Sequence, residues 1–310
     1  MKINCVLIVI AGLSVGSASV VADELEYKYN FSKKVCENSD GRRGYNDGHI
    51  GECGQLRSLD LIDQDFSGTS FVGAFIYSVD FSGSTFKKVS FNFASISDTS
   101  FRNTKMSAVS FVNVKIMRND FSGSNLNKVI FVGSLDNSLF ENAKVEGGSF
   151  NGSMHETKII SSNFTEDSRL DLDVSNSEFS KNIFRGAEED EIFISFNVKK
   201  SSFIDNNVEF AYFTNSDLRA ANFKGNRFKN VYFGSVDFTG ADLSGAQFEE
   251  CTISSGDFIR SDLSSTIFDD KTIEGMGSPK FHQALYDDKS QPFSRDFPLA
   301  IKLGMYKKPY

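Results

Sequence analysis

The chain has 310 residues, a formal net charge of −8, and a hydrophobic content of 40% in which 32 phenylalanines stand against no tryptophan. The acidic balance argues against direct nucleic-acid binding, which needs clustered Lys and Arg. The weight of Phe signals a core that needs no ligand to explain it, since each buried ring contributes roughly 1.5–3 kcal/mol by transfer from water.

Residues 1–22 read as a secretory signal. Lys2 supplies the charge, residues 3–13 an apolar run, and Val20-Val21-Ala22 a small-residue cleavage site before Asp23. The run is too short for a membrane span, and no later stretch approaches the ~20 residues that one requires. The expectation is a periplasmic or secreted chain without a membrane span. Residues 23–55 then form an N-terminal cap. Tyr27, Tyr29 and Phe31 alternate with polar residues as in a short strand, and Asp40-Gly41 and Asp47-Gly48 mark turns. In an oxidising compartment Cys36 and Cys53 are the natural disulfide, worth about 3 kcal/mol for a loop of that size.

From residue 56 the chain keeps a five-residue period: Leu56, Leu61, Phe66, Phe71, Ile76, Phe81, Phe86, Phe91 and so on to Phe131. This period suits neither a helix nor a strand, which would smear those residues around a circumference or send them to alternate faces. Two residues before each centre sits a smaller one, as at Ala74, Val79, Ser84 and Val89. If five residues turn one corner of a square, four repeats make a coil with centre and small residue both inward. Stacked coils about 4.8 Å apart then share one core and pair as parallel strands.

After Phe131 the register slips to Leu135, Phe140, Val145, Phe150 and His155, and again to Ile159 and Phe164. It falters over 167–173, breaks at Glu188-Glu189-Asp190-Glu191, and resumes as Phe193, Val198, Phe203 and onward to Ile273. Segments 168–173 and 185–191 are the expected excursions from the rod, in positions where binding residues concentrate. The expected solenoid covers 56–277, with about eleven coils and a length of roughly 50 Å. All four prolines lie beyond it, which agrees with an unbroken ladder. In the C-terminal cap, 278–310, the residues expected to cover the last coil are Phe281, Leu285, Tyr286, Phe293, Phe297, Leu299, Ile301, Leu303 and Tyr306. Cys251 falls at a small inward position and reads as a buried free thiol.

The clearest repeats are Ala241-Asp242-Leu243-Ser244-Gly245, Ser216-Asp217-Leu218-Arg219-Ala220, Ala221-Asn222-Phe223-Lys224-Gly225 and Ser261-Asp262-Leu263-Ser264-Ser265. This pattern resembles the pentapeptide-repeat family. The resemblance implies an all-β fold, a right-handed quadrilateral β-helix with N- and C-terminal caps. In some members a C-terminal apolar element joins two rods end to end, so the resemblance also brings a homodimer into view. Members that protect DNA gyrase carry a spaced row of carboxylates by which they resemble duplex DNA.

Read as ladders, one face carries Asp60, Asp80 and Asp120 and, if the slips keep the count, Asp217, Asp237 and Asp257; its neighbour adds Asp65, Asp242 and Asp262. Carboxylates at this position also satisfy backbone groups at corners, which is the favoured reading. A third face presents Val72, Phe93, Val112, Ile130 and Val132 outward as a candidate partner-binding stripe, and a farther face sets Tyr212 above Tyr232. The sequence holds no nucleophile motif and no phosphate-cradling Gly loop, and His49, His155 and His282 have no metal-ligand spacing. No catalytic residue, cofactor or metal is therefore expected. The expected role is that of an exported non-enzymatic binding or scaffold protein with a protein partner. The alternatives are a DNA-mimicking inhibitor or protector of a nucleic-acid enzyme such as gyrase, which export disfavours, and a secreted effector.

Overall fold

A computed structural model describes residues 26–309, and the signal-like segment 1–22 lies outside them. Nearly all of the described chain is β, wound into a parallel solenoid of about 13 turns. One inward ladder climbs through Leu56, Ile76, Ile96, Ile116, Leu135, Met154, Val174 and Val198, so coils close after 20 residues at first, then 19 twice, 20 again, and 24 at the last step. On another face Phe71, Phe91, Phe111 and Phe131 stack at 4.8, 4.8 and 4.6 Å, which is the rise of a coil.

The five-residue period follows from the corners. Ser58, Asp63, Ser78, Lys88 and Asp98 turn the chain with φ of 49–55°, a region that disfavours side chains with a Cβ. Each corner is held by the ladder, as where the Lys88 amide donates to the Ser107 carbonyl at 2.9 Å. The small position beside each centre also satisfies buried backbone. The Ser84 hydroxyl donates to the Leu61 carbonyl at 2.9 Å. Farther up, the Asn182 and Asn206 amides donate to the side-chain oxygens of Asn206 and Asn226, both at 2.9 Å.

The 19-residue coils have lost a corner. Asn113, with φ 55°, has no counterpart one coil later, where Val132 pairs with Val112 but Gly133 pairs with Val114. Strands Ile130–Asp136, Ser149–His155, Arg169–Ser175 and Ile192–Lys199 therefore run straight where a corner stood, and two faces merge into one flat sheet. Gly133 and Gly152 sit there at φ 150° and 130°, and a Cβ on Gly152 would strike the Gly133 carbonyl.

This flattening corrects three expectations, because a straight strand alternates its side chains. Met154, not His155, is the core residue. Phe193 is 39% exposed while Ile192 and Ile194 point inward. Segment 168–173 stays in the sheet; only residues 186–191 leave it, lengthening their coil.

The stack is also longer than the expected eleven coils because it continues at both ends. Asn46–Asp47 pairs with the first solenoid strand, Gly54–Arg57. Beyond Gly277, Phe281 stacks on Phe258 at 5.0 Å, and Phe293 packs against Phe281 at 5.5 Å. Tyr286 is buried with them, Leu285, Leu299 and Leu303 are half-buried, and Ile301 and Tyr306 face solvent; the Phe297 side chain is not among those described. At the N-terminus, Lys28–Asn30 pairs antiparallel with Val35–Glu37, and a Cys36–Cys53 disulfide ties this hairpin to the first coil. Cys251 is a buried free thiol, pushed up to about 12 by burial.

Candidate functional site

The flat sheet brings together residues that the five-residue reading kept apart. Its outward row runs Ser110, Ile130, Ser149, Arg169, Phe193, Tyr212, Tyr232, each the ladder partner of the next. The Arg169 guanidinium lies 4.7 Å from the Phe193 ring centre, a cation–π distance. Phe193 stacks on Tyr212 at 5.3 Å with planes 9° apart, and Tyr212 meets Tyr232 at 5.6 Å. The Tyr232 hydroxyl donates to Ser254 Oγ at 2.9 Å, fixing the end of the row. Beside it, Asn151 Nδ2 donates to Asp171 at 3.1 Å and Asn197 Nδ2 to Asp173 at 3.0 Å. The result is a rigid ledge with aliphatic, polar and aromatic zones in order along the rod.

Tyr212 and Tyr232 are ladder partners, and so are Val112 and Val132, both half-buried, with Ile130 43% exposed beside them. Val72 and Phe93 do not share this free surface. Val72 is only 9% exposed, and Tyr29 stacks on Phe93 at 5.0 Å, because the N-terminal hairpin folds over the first coils. Arg169 and Phe193 were missed by the five-residue reading. The signal was present in Ile192-Phe193-Ile194-Ser195-Phe196-Asn197-Val198, whose apolar residues alternate with period two.

The acidic ladder divides. Asp60, Asp80 and Asp120 align upward with Leu139, Lys158, Glu178, Ser202, Asn222, Asp242 and Asp262. Asp217, Asp237 and Asp257 lie on the neighbouring face, above Asp173 and Asn197. The slips do not keep the count, because the coil from Glu178 to Ser202 takes 24 residues and the loop 186–191 within it adds length without adding a repeat. Most of these carboxylates also have local partners. Asp80, Asp120, Asp237, Asp242 and Asp262 each accept the amide two residues on, at 2.8–3.0 Å. Asp217 is held below its usual range by the Arg219 guanidinium. For Asp120 burial opposes ionisation, but Ser122 and Arg102 outweigh it and its pKa is lowered. Among the described residues no group of three or more His, Cys, Asp or Glu is arranged to hold a metal ion, and no helix is long and apolar enough to cross a membrane.

A sequence model of pentapeptide repeats matches in 8 copies, over residues 94–133, 201–240 and 227–270. No curated protein matches. Among solved structures, HetL, a pentapeptide repeat protein involved in heterocyst differentiation regulation from the cyanobacterium Nostoc, is 16% identical over 74% of this chain and 87% of its own, with a TM-score of 0.25. QnrB1, a plasmid-mediated fluoroquinolone resistance protein, is 21% identical over 62% of this chain and 92% of its own, with a TM-score of 0.30. Such low scores carry no argument, and the assignment rests on the matched repeats and on the coils they build. Over residues 94–133 and 201–270 the chain is built of pentapeptide repeats.

Proposed function

We propose that this protein is an exported, non-enzymatic scaffold that binds a protein partner through the flat ledge of its middle coils. The observation that carries the reading is the solvent-facing row Arg169, Phe193, Tyr212, Tyr232, with rings held at 5.3 and 5.6 Å. Aromatic and Arg side chains locked by neighbours lose little conformational freedom on binding, and such residues dominate protein interfaces. The aliphatic group Ile130, Val112 and Val132 extends the same surface. The Cys36–Cys53 disulfide supports a periplasmic or extracellular location, where such bonds persist. Division of the acidic ladder between two faces leaves the DNA-mimic alternative without one continuous row of charge.

The test is photo-crosslinking from position 195, in the centre of the ledge, in the native host, compared with the same probe in a Phe193→Ser/Tyr212→Ser background. A discrete adduct that disappears in the double variant supports the reading. An adduct that persists unchanged, or none in any compartment, overturns it.

A further inference from the structure

A different face carries its charges in two blocks. On the strands through Phe86, Met106, Leu126 and Val145, exposed Lys87, Lys105 and Lys144 crowd together, joined at the adjoining corner by Lys88 and Lys128. Farther along that corner stand Glu166 and Asp167, and then the loop that leaves the sheet at Gly186 with Glu188, Glu189, Asp190 and Glu191. Glu146 alone interrupts the basic block.

Elsewhere on the rod opposite charges in neighbouring coils find each other, as in Arg102–Asp120, Arg118–Asp98, Arg185–Glu209 and Lys229–Glu249. Among the described residues, none of the five lysines or six carboxylates of the two blocks makes an ion pair. Lys105 and Lys144, like Lys88 and Lys128, stand two coils apart, about 10 Å along the rod, and like charges at that range repel, so each block stands ready for a surface of opposite sign. The other block is such a surface, but on one rigid rod the two cannot meet. A second copy turned end for end brings them together: the lysines of each rod face the acidic loop of the other, around a two-fold axis near Gly147 and Glu166. Such a contact is self-complementary and closes at two copies.

We propose that two copies of this chain associate side by side and antiparallel along this corner, lysine block against acidic loop. The proposal does not rest on the ledge reading, whose residues lie on another face.

Sedimentation equilibrium of the purified chain tests it. At about 0.1 M salt, where the Debye length of ~10 Å screens the net charges but not contacts, a monomer–dimer equilibrium is expected. It should weaken at least about tenfold at about 1 M. One variant, Lys88→Glu/Lys105→Glu/Lys128→Glu, makes the lysine block net acidic; a second, Glu188→Lys/Glu189→Lys/Asp190→Lys, offsets Glu166, Asp167 and Glu191 and leaves the other block without net charge. Each alone is expected to be monomeric, and their equimolar mixture to dimerise. All six positions are exposed, and unchanged circular dichroism verifies the fold. A wild-type chain that is monomeric at both salt concentrations overturns the proposal. So does a mixture no tighter than a control in which the first variant's reversals are moved to Lys199, Lys200 and Lys302. Binding of a monomeric wild-type chain to phosphatidylglycerol vesicles, abolished by the lysine reversals, also overturns it and assigns the basic block to an anionic lipid surface.

Discussion

The coils over 56–128 and those over 130–199 share one core but differ by a corner. In the first region four left-handed residues turn each coil, and outward side chains diverge around them. In the second, Val132-Gly133 replaces Val112-Asn113-Val114, the strand runs on, and outward side chains lie in one sheet. The stacked rings are indifferent to the change: Phe111 to Phe131 is 4.6 Å and Phe131 to Phe150 is 4.7 Å. Core and surface are therefore set separately. The inward residues fix the rise, and the presence or absence of a single corner residue decides whether a face is angular or flat.

If the core is common to both regions, removing a ring should cost the same in each. Phe121 lies between Phe101 at 4.9 Å and Phe140 at 4.7 Å, and Phe164 stacks on Phe184 at 4.9 Å. Phe121→Ala and Phe164→Ala are each expected to destabilise by about 3–5 kcal/mol in urea unfolding. A gap larger than about 2 kcal/mol between them, beyond the ordinary scatter of such substitutions, would break the equivalence. The next effect is confined to one end. Cys36→Ser should cost about 3 kcal/mol, and hydrogen exchange should accelerate in the hairpin and around Val72 and Phe93 while the flat sheet stays protected. Acceleration throughout would mean that the cap supports the whole rod.

Glycines separate the regions more sharply. Gly152 has φ 130° and no room for a Cβ beneath Gly133, whereas Gly240 is an open corner with φ 70°. Gly152→Ala is expected to cost about 2–3 kcal/mol and Gly240→Ala about 1 kcal/mol. Equal shifts in thermal midpoint would show that the straight strand relaxes as easily as a corner.

The five-residue rhythm made the solenoid and its stacked rings legible in the sequence, because burial at every fifth position is a property of the chain itself. What it hid was a change of period. In the straight strands Ser149–His155, Arg169–Ser175 and Ile192–Lys199 side chains alternate by two, and reading on in fives placed Phe193 and His155 in the core. The acidic ladder failed for another reason: the loop 186–191 lengthens its coil without adding a repeat, which leaves Asp217 on another face from Asp120. The cover over Val72 was hidden for a different reason: no periodicity tells where a hairpin tied by a disulfide folds back. The clustering of Lys88, Lys105 and Lys128, far apart in an acidic sequence, emerges only when coils are stacked.

Corners resume in the last coils, and there a carboxylate replaces the missing next rung. Asp287 accepts from the Ser265 amide at 2.8 Å and hydroxyl at 3.0 Å, from the Lys289 and Ser290 amides at 3.0 Å, and from the Ser290 hydroxyl at 2.8 Å. Burial opposes its ionisation, but these donors, led by the Ser265 amide, outweigh it and lower the pKa to about 2. In the unfolded chain an aspartate titrates near 3.9. The folded value is the lower one, so the contribution is complete above about pH 4 and is lost as pH falls toward about 2. Asp287→Asn keeps one acceptor and removes the charge. It should cost about 1 kcal/mol at neutral pH and flatten the acid dependence of exchange protection around Ser265 and Ser290. Corner carboxylates such as Asp120 and Asp262 are also held below their usual range by local donors. If the variant keeps the wild-type acid slope at Ser265, that slope belongs to Asp262 one coil below, and the last corner is held by packing of Phe281 and Phe293 instead.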